Sequence, residues 1–153
     1  MFQPKPLGSP DEISSPRLKT FHEIWTSKRL NEALPLKNAF DPLEAPRLYP
    51  WIAIAERITG DYRYRLVGTR VVDAYGFDFT GRLLSGFGPE PIVHEIRAVY
   101  DMVLDQRVCV VNRGNFGRRG RAYVRYEFLH CPVADRDGVP RFIYVAGDFQ
   151  STA

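Results

Sequence analysis

An apolar run near the end of the chain, residues 142–146 with the sequence FIYVA, is the feature that most limits the fold. Its side chains are apolar at odd and even positions alike, whereas a strand with one solvated face alternates apolar and polar residues. A strand that is apolar on both faces has to be covered on both. We therefore expect residues 142–149 to form a central strand of a sheet with a layer on each face.

The remaining elements follow from periodicity. Apolar side chains at helical spacing predict helices at residues 16–30 and 91–106, and Thr69 and Gly76 are suited to begin and end a short helix between them. Aromatic and β-branched runs predict four further strands, at residues 51–58, 62–67, 108–111 and 122–130. The order predicts an α/β fold of the α+β type: a five-stranded antiparallel sheet with helices on one face and the N-terminal helix on the other.

Length and proline distribution set the domain organisation. A chain of 153 residues with 44% hydrophobic residues has room for one globular core. Eight of the 12 prolines lie within the first 50 residues. We predict a flexible N-terminal arm at residues 1–15, a helix and extended connector at 16–48, and the core at 49–150. No apolar stretch approaches the ~18 residues that span a bilayer, and no leader is evident, so we expect a soluble, cytoplasmic protein.

The net charge of +3 is unevenly spread, because residues 107–125 contain six arginines and no acidic residue. Within this segment the sequence NRGNFGRRGR resembles the loop of a hairpin. Arginines beside an aromatic residue can bind phosphate and stack on a base, so a polyanion site is one hypothesis. A solvated turn is the favoured alternative, and nucleic acid is disfavoured as a partner. The candidate anion-binding residues are Arg113, Arg118, Arg119 and Arg121.

No catalytic constellation is evident. The three histidines, at positions 22, 94 and 130, belong to no catalytic motif, and Cys109 and Cys131 lack metal or redox spacing, which predicts free thiols. His130 and Cys131 are adjacent in a predicted strand, so their side chains point to opposite faces. Arg125 and Glu127 share a face, where a structural ion pair is favoured over ligand recognition. We predict no catalytic residue, no metal site and no enzymatic activity.

Two motifs resemble a known family. Residues 62–69 (YRYRLVGT) and 76–82 (GFDFTGR) match the "RYRLVGT" and "GxDxTGR" patterns of a mostly uncharacterised group of proteobacterial PAS-like proteins. The similarity extends from about residue 21 to residue 147. The resemblance implies a PAS fold and a sensory or regulatory role, and it names no ligand. With the two-sided apolarity, it also implies that the strand at residues 142–149 pairs with that at 51–58.

A ligand is expected between the sheet and the helices if that space is a cavity, although the same side chains could simply fill a core. His94 lies in the helix that carries the iron ligand of haem-binding PAS domains, which makes it a candidate haem ligand. The reactive-cysteine motif of the flavin photosensors is absent. The sequence therefore requires no cofactor. The candidate pocket residues are Tyr62, Tyr64, Leu66, Tyr75, Val99, Val103 and Tyr144.

The apolar stripe of the first helix, Leu18, Phe21 and Trp25, should cover the outer face of the sheet in its own chain or in a partner. We expect that face to present Ile143 or Val145. A homodimer through this helix follows as one hypothesis, and output through a partner signalling protein as another. The functional alternatives are a small-molecule enzyme with a cone-like α+β fold and a polyanion binder.

Overall fold

The computed structural model describes residues 4–117 and 120–151, and of residues 121 and 122 it describes the backbone. The strands and helices, in chain order, are β1 (Lys5–Pro6), α1 (Pro16–Ser27), β2 (Ile52–Ile58), β3 (Asp61–Val67), α2 (Thr69–Tyr75), α3 (Glu90–Gln106), β4 (Val110–Phe116), β5 (Arg121–Ala134) and β6 (Pro140–Ser151). Short 3-10 helices occupy the connections at Pro10–Glu12, Lys37–Ala39, Pro42–Glu44, Tyr49–Trp51 and Leu84–Gly86. Among the described residues, no helix has the length and apolarity needed to cross a bilayer.

β6 lies inside the sheet, as its two apolar faces predict. The strand order is β1-β4-β5-β6-β2-β3, and each neighbouring pair is antiparallel. β6 pairs with β2 from Ile52 opposite Ala146 to Glu56 opposite Phe142. The predicted antiparallel α+β fold is confirmed. The sheet has six strands instead of five, because β1 adds to the free edge of β4, where a proline is tolerated in a strand.

Each face of the sheet supports a separate apolar cluster. We call the face covered by α2 and α3 the inner face, and the face covered by α1 the outer face. From β6, Ile143 and Val145 point to the inner cluster, and Phe142 and Tyr144 point to the outer cluster. The expectation that Ile143 or Val145 faces α1 is wrong. Apolarity on both sides of a strand does not tell which side meets which helix.

A β-bulge in the β2–β3 hairpin changes the side on which β3 presents its residues. Ile54 pairs with Leu66 and Ala55 pairs with Tyr64, so Arg65 is an extra residue on β3. Tyr64 therefore faces the inner cluster, whereas Leu66 packs against the outer one. Strict alternation would have kept both on one face.

α1 begins where its sequence predicts and covers the outer face of its own chain. The Ser15 hydroxyl accepts a hydrogen bond from the Leu18 amide at 3.3 Å, and Pro16 occupies the first turn. The predicted stripe of Leu18, Phe21 and Trp25 is buried, and Trp25 Nε1 donates to the Pro132 carbonyl at 2.8 Å. The structure thus shows the intramolecular form of the two packing arrangements expected.

The segment before α1, expected as a flexible arm, contacts the sheet over its described part. Ile13 is 1% exposed in the outer cluster. The Glu127 carboxylate accepts hydrogen bonds from the amides of Ser14 at 2.9 Å and Ser15 at 2.8 Å, at the start of α1. Arg113 pairs with the same carboxylate at 2.6 Å. A buried acid on β5 therefore anchors the N-terminal segment.

Candidate functional site: a cavity on the inner face

A cavity of about 350 Å3 lies between the inner face of the sheet and the helical layer. Its floor comes from β2 to β6, and its roof comes from α2, α3 and the connection between them. The roof includes Phe79 and Phe87, which follow α2, and Ile92 and Ile96 in the first half of α3. The remaining lining residues are Ala53, Tyr64, Val71, Tyr75, Glu95, Val99, Tyr100, Asn112, Gly114, Asn115, Phe116, Gly117, Tyr126, Phe128, His130, Val145 and Gly147.

Two glycines leave room for the aromatic rings at the floor of the cavity. A Cβ at Gly147 on β6 would lie 2.7 Å from Cζ of Phe149 and 3.0 Å from Cε1 of Phe128. A Cβ at Gly114 on β4 would lie 2.7 Å from the Tyr126 hydroxyl. These distances of 2.7–3.0 Å are too short for the Cβ atom of a real side chain. Any residue larger than glycine at these two positions would therefore clash with the aromatic rings of the floor.

Aromatic rings form most of the wall. Tyr64 packs edge to face on Phe79 at 4.8 Å between ring centroids, and Tyr75 packs in the same way on Phe116 at 4.9 Å. Phe79 also contacts Phe87 at 4.9 Å. Such a wall presents ring faces and edges, which suits a flat apolar guest.

The two phenol groups buried in the cavity are uncharged. The hydroxyls of Tyr64 and Tyr100 are 2.8 Å apart and bond to each other. Burial raises the pKa of the Tyr100 phenol to about 12, although its hydrogen bond with Tyr64 opposes the shift, and burial also raises the pKa of Tyr64. Both phenols are therefore neutral at physiological pH.

His130 adds a neutral imidazole. Burial lowers its pKa to about 4, partly offset by its hydrogen bond to the Val110 carbonyl. Nδ1 lies 3.2 Å from that carbonyl oxygen, so Nδ1 carries the proton and donates it. In the neutral ring Nε2 is then a hydrogen-bond acceptor.

Asn112 supplies a buried hydrogen-bond acceptor that lacks a donor. Its side chain lines the cavity from β4 and is 4% exposed. Its Oδ1 is buried and accepts no hydrogen bond from any described residue. Leaving such an acceptor unpaired costs on the order of 1–3 kcal/mol, so this atom favours a hydrogen-bond donor that enters the cavity.

Glu95, which is half-buried on α3, is the one acidic side chain among the described lining residues, and no lysine or arginine is among them. The exposed lining residues, Asn115 and Gly117, belong to the β4–β5 hairpin. The cavity therefore reaches the surface between this hairpin and the first half of α3. Among the residues that the structure describes, no group of three acidic, histidine or cysteine side chains could hold a metal ion.

The predicted pocket residues separate into three sets. Tyr64, Tyr75 and Val99 line the cavity. Tyr62 and Val103 are buried in the inner cluster beside it, and the Tyr62 hydroxyl donates to Asp101 at 2.5 Å. The placement of two others on the inner face is wrong: Leu66 is turned outward by the bulge, and Tyr144 lies in the outer cluster, where its hydroxyl donates to the Phe40 carbonyl at 3.0 Å.

The other predicted site residues do not reach the cavity. His94 is exposed on α3 and is not a lining residue. Arg113 points to the outer face, where it bonds to the Glu12 carbonyl and to Glu127. Arg118 and Arg119 lie outside the described residues, as does the side chain of Arg121.

Sequence reasoning missed Asn112 and His130, for different reasons. The sequence predicts that the third strand ends at residue 111 and that a hairpin loop begins at Asn112, whereas the corresponding strand of the structure, β4, continues to Phe116. His130 was inside a predicted strand and alternates with Tyr126 and Phe128. That period-two pattern was a sufficient signal that His130 shares the inner face with them.

Comparison with known proteins agrees with this architecture. One solved structure, described as "Structure of an RNA-binding Light-Oxygen-Voltage Receptor", superposes with a TM-score of 0.52 at 15% sequence identity over 97% of this chain, which corresponds to 38% of that chain. At this identity the match shows a shared fold. No curated protein matches the sequence. A PAS domain family model matches residues 13–145, nearly the whole of the described fold, and the chain belongs to the PAS domain family.

Proposed function

We propose that this PAS domain is a non-enzymatic sensor that binds a small, uncharged, flat ligand in the inner cavity. The unpaired, buried Oδ1 of Asn112 is the observation that carries the proposal. A volume of about 350 Å3 is within the range of small-molecule sites, at the small end. The ligand offers a hydrogen-bond donor to Asn112.

Charge supports a neutral ligand. The tyrosine and histidine side chains of the wall are uncharged, the half-buried Glu95 is the one acidic group among the described lining residues, and no described lysine or arginine lines the cavity. An anionic group would lose its hydration without gaining a cation. A nucleotide phosphate or a carboxylate is therefore a poor fit for the interior, whereas a heteroaromatic ring with an N–H or O–H group fits both the ring-lined wall and the acceptors.

The structural neighbour is a light-oxygen-voltage receptor, which raises the question of a flavin. The photosensors of this branch form a bond between a cysteine and the flavin, and that bond needs a thiol in the cavity. Cys109 and Cys131 are both in the outer cluster, on the opposite face of the sheet. The cysteines of this chain do not fit that chemistry, and we propose no flavin photocycle.

The same neighbour is named as RNA-binding. In this chain the side chain of Arg113, the described member of the predicted arginine set, is bonded to Glu12 and Glu127. That arrangement leaves it little capacity for phosphate. We therefore propose that the output of the sensor goes through a protein partner.

The first test is native mass spectrometry, with an absorption spectrum, of the full chain purified from its host. An additional mass that co-purifies with the folded protein supports the proposal, and its identity names the ligand. The haem alternative predicts a Soret band. If the protein carries no extra mass and shows no thermal shift with a panel of neutral heteroaromatic compounds, the small-molecule proposal is wrong.

A matched pair of variants assigns binding to the cavity. In Gly147→Ala the new methyl group pushes the rings of Phe149 and Phe128 into the cavity, so ligand binding should weaken at least tenfold. Gly86→Ala is the control, because a Cβ at Gly86 meets no atom within 4 Å. Equal affinity of the two variants would place the ligand elsewhere.

A further inference from the structure

The two cysteines lie side by side on the outer face of the sheet. Val110 of β4 is paired with His130 of β5, so Cys109, one residue before β4, stands opposite Cys131. The two Sγ atoms are 3.2 Å apart. Both thiols are free and buried in the cluster that α1 covers. The spacing of 22 residues in the sequence gave no sign of this contact.

We propose that Cys109 and Cys131 form a redox couple, in which hydrogen peroxide oxidises Cys109 to a sulfenic acid and Cys131 then closes a reversible disulfide. This site is separate from the cavity, since it lies on the opposite face of the sheet. The proposal does not depend on a ligand.

Strand geometry allows the bond without rearrangement. Directly opposed residues of an antiparallel pair have Cα atoms about 4.5–5.5 Å apart. Disulfides span Cα distances of about 4.4–6.8 Å. The register of β4 and β5, continued by one residue beyond Val110 and His130, therefore places the two cysteines at a separation that suits the bond.

The two sulfurs differ in reactivity. Burial opposes ionisation of Cys109, but hydrogen bonds with Cys131 and His22 and the electrostatic influence of His22 and Arg29 outweigh it and lower the pKa of the Cys109 thiol. Burial raises the pKa of Cys131, and its contact with Cys109 raises it further. Cys109 is 7% exposed and Cys131 is 0% exposed. Both differences make Cys109 the attacking sulfur.

The chemistry balances with peroxide as the oxidant. The Cys109 thiolate attacks one oxygen of hydrogen peroxide, the O–O bond breaks, and Cys109 becomes a sulfenic acid. The departing hydroxide takes up the proton that the Cys109 thiol released on ionisation and becomes water. Cys131 then loses its proton and attacks Sγ of Cys109, the S–O bond breaks, and the hydroxyl group leaves with that proton as water. In sum, two thiols lose two electrons, and one peroxide becomes two water molecules.

The experiment uses the full chain, reduced and freed of reductant, with hydrogen peroxide as the probe. Intact-mass measurement should show the loss of two hydrogen atoms, and peptide mapping should show Cys109 joined to Cys131 in one chain. Dithiothreitol should restore the original mass. A folded protein whose thiols stay reduced, or one that forms only intermolecular disulfides, would overturn the proposal.

Variants assign the roles of the residues. Cys131→Ala should accumulate a sulfenic acid at Cys109 that dimedone traps, and Cys109→Ala should not react. His22→Gln should form the same disulfide about tenfold more slowly at pH 7, because fewer Cys109 side chains are ionised. The control is His94→Gln, an exposed histidine on α3, with unchanged rate. Circular dichroism confirms folding. Sulfenic acid at Cys131, or a wild-type rate in His22→Gln, would contradict the assignment.

Discussion

The two faces of the sheet are covered to different degrees. On the outer face, α1 and the segments around it leave the described polar groups paired: Trp25 donates to Pro132, Tyr144 donates to Phe40, and Glu127 accepts from Ser14 and Ser15. On the inner face, α2 and α3 leave a cavity of about 350 Å3 and the unpaired Oδ1 of Asn112. The two faces thus differ in that the inner one retains an aromatic-lined cavity with an unpaired buried acceptor, whereas the described buried polar side chains of the outer one have partners.

The largest expected effect compares one phenylalanine from each face. Phe21 of α1 is 1% exposed and packs on Phe40, whereas Phe79 is 2% exposed and lines the cavity. Phe21→Ala should lower the free energy of unfolding by about 3–5 kcal/mol, because its neighbours cannot close the gap. Phe79→Ala should cost about 1 kcal/mol less, because rings beside an existing cavity can relax into it.

Urea unfolding of both variants measures this difference. Circular dichroism spectra of the native baselines show whether each variant keeps the fold. If Phe79→Ala proves as costly as Phe21→Ala, the inner face is packed as tightly as the outer one, and the contrast between the faces fails.

The second effect is the pH dependence that His130 confers on the inner face. In the unfolded chain a histidine takes up a proton near pH 6.5, but burial lowers the pKa of His130 in the fold to about 4. As the pH falls from about 6.5 to 4, the unfolded state binds a proton that the native state does not bind, so the free energy of unfolding falls. The total loss is about 3 kcal/mol.

His130→Phe isolates this contribution, since it keeps a ring beside Phe128 and Tyr100 and removes the titrating group. Urea unfolding at several pH values should show a shallower decline of stability between pH 6.5 and 4 in the variant than in the wild type. Parallel curves for the two proteins would mean that His130 is protonated equally well in the native and unfolded states.

The third effect compares two buried carboxylates. Glu127 accepts hydrogen bonds from two backbone amides at the start of α1, and these amides have no partner within the helix. Glu56 pairs with Arg65 and Arg141, which are about half exposed. Glu127→Gln should cost about 2 kcal/mol, as charge-assisted hydrogen bonds are lost. Glu56→Gln should cost less than about 1 kcal/mol, because its partners remain solvated.

Thermal melts measure the stability of the two variants, and limited proteolysis measures how accessible their N-terminal segments are. Glu127→Gln should expose the residues before α1 to cleavage more than Glu56→Gln does, since Glu127 is the one of the two carboxylates that accepts hydrogen bonds from this segment. Equal resistance to proteolysis in the two variants would show that Glu127 is not the anchor of this segment.

The sequence predicted three helices and five of the six strands in their order, but it predicted only in part which side chains share a face. The two apolar faces of residues 142–146 indicated an internal strand, yet they gave no basis for assigning Ile143 inward and Tyr144 outward. Leu66 was misplaced because a bulge at Arg65 is a property of pairing with β2 and leaves no signature in the alternation itself. Asn112 was missed because Asn and Gly, which recur in residues 112–117, are both depleted in strands. The extension of β4 beyond Val111 depends on its partner β5, which is distant in sequence.

The smallest effect is expected at Asn112, and it has the opposite sign to the others. Asn112→Leu removes the buried acceptor that lacks a partner, and the cavity has room for the larger side chain. The free energy of unfolding of the ligand-free protein should therefore rise by about 1 kcal/mol. The same change removes the acceptor for the ligand, so a compound that shifts the wild-type melting temperature should no longer shift that of the variant.

Tyr144→Phe is the control on the outer face: it breaks the hydrogen bond to Phe40, so it should lower stability and leave the ligand-induced shift intact. Calorimetry on the three proteins, with and without the compound, measures both quantities. A loss of stability in ligand-free Asn112→Leu would show that Oδ1 is satisfied in solution, and the inner face would then resemble the outer one in having no polar group held ready for a ligand.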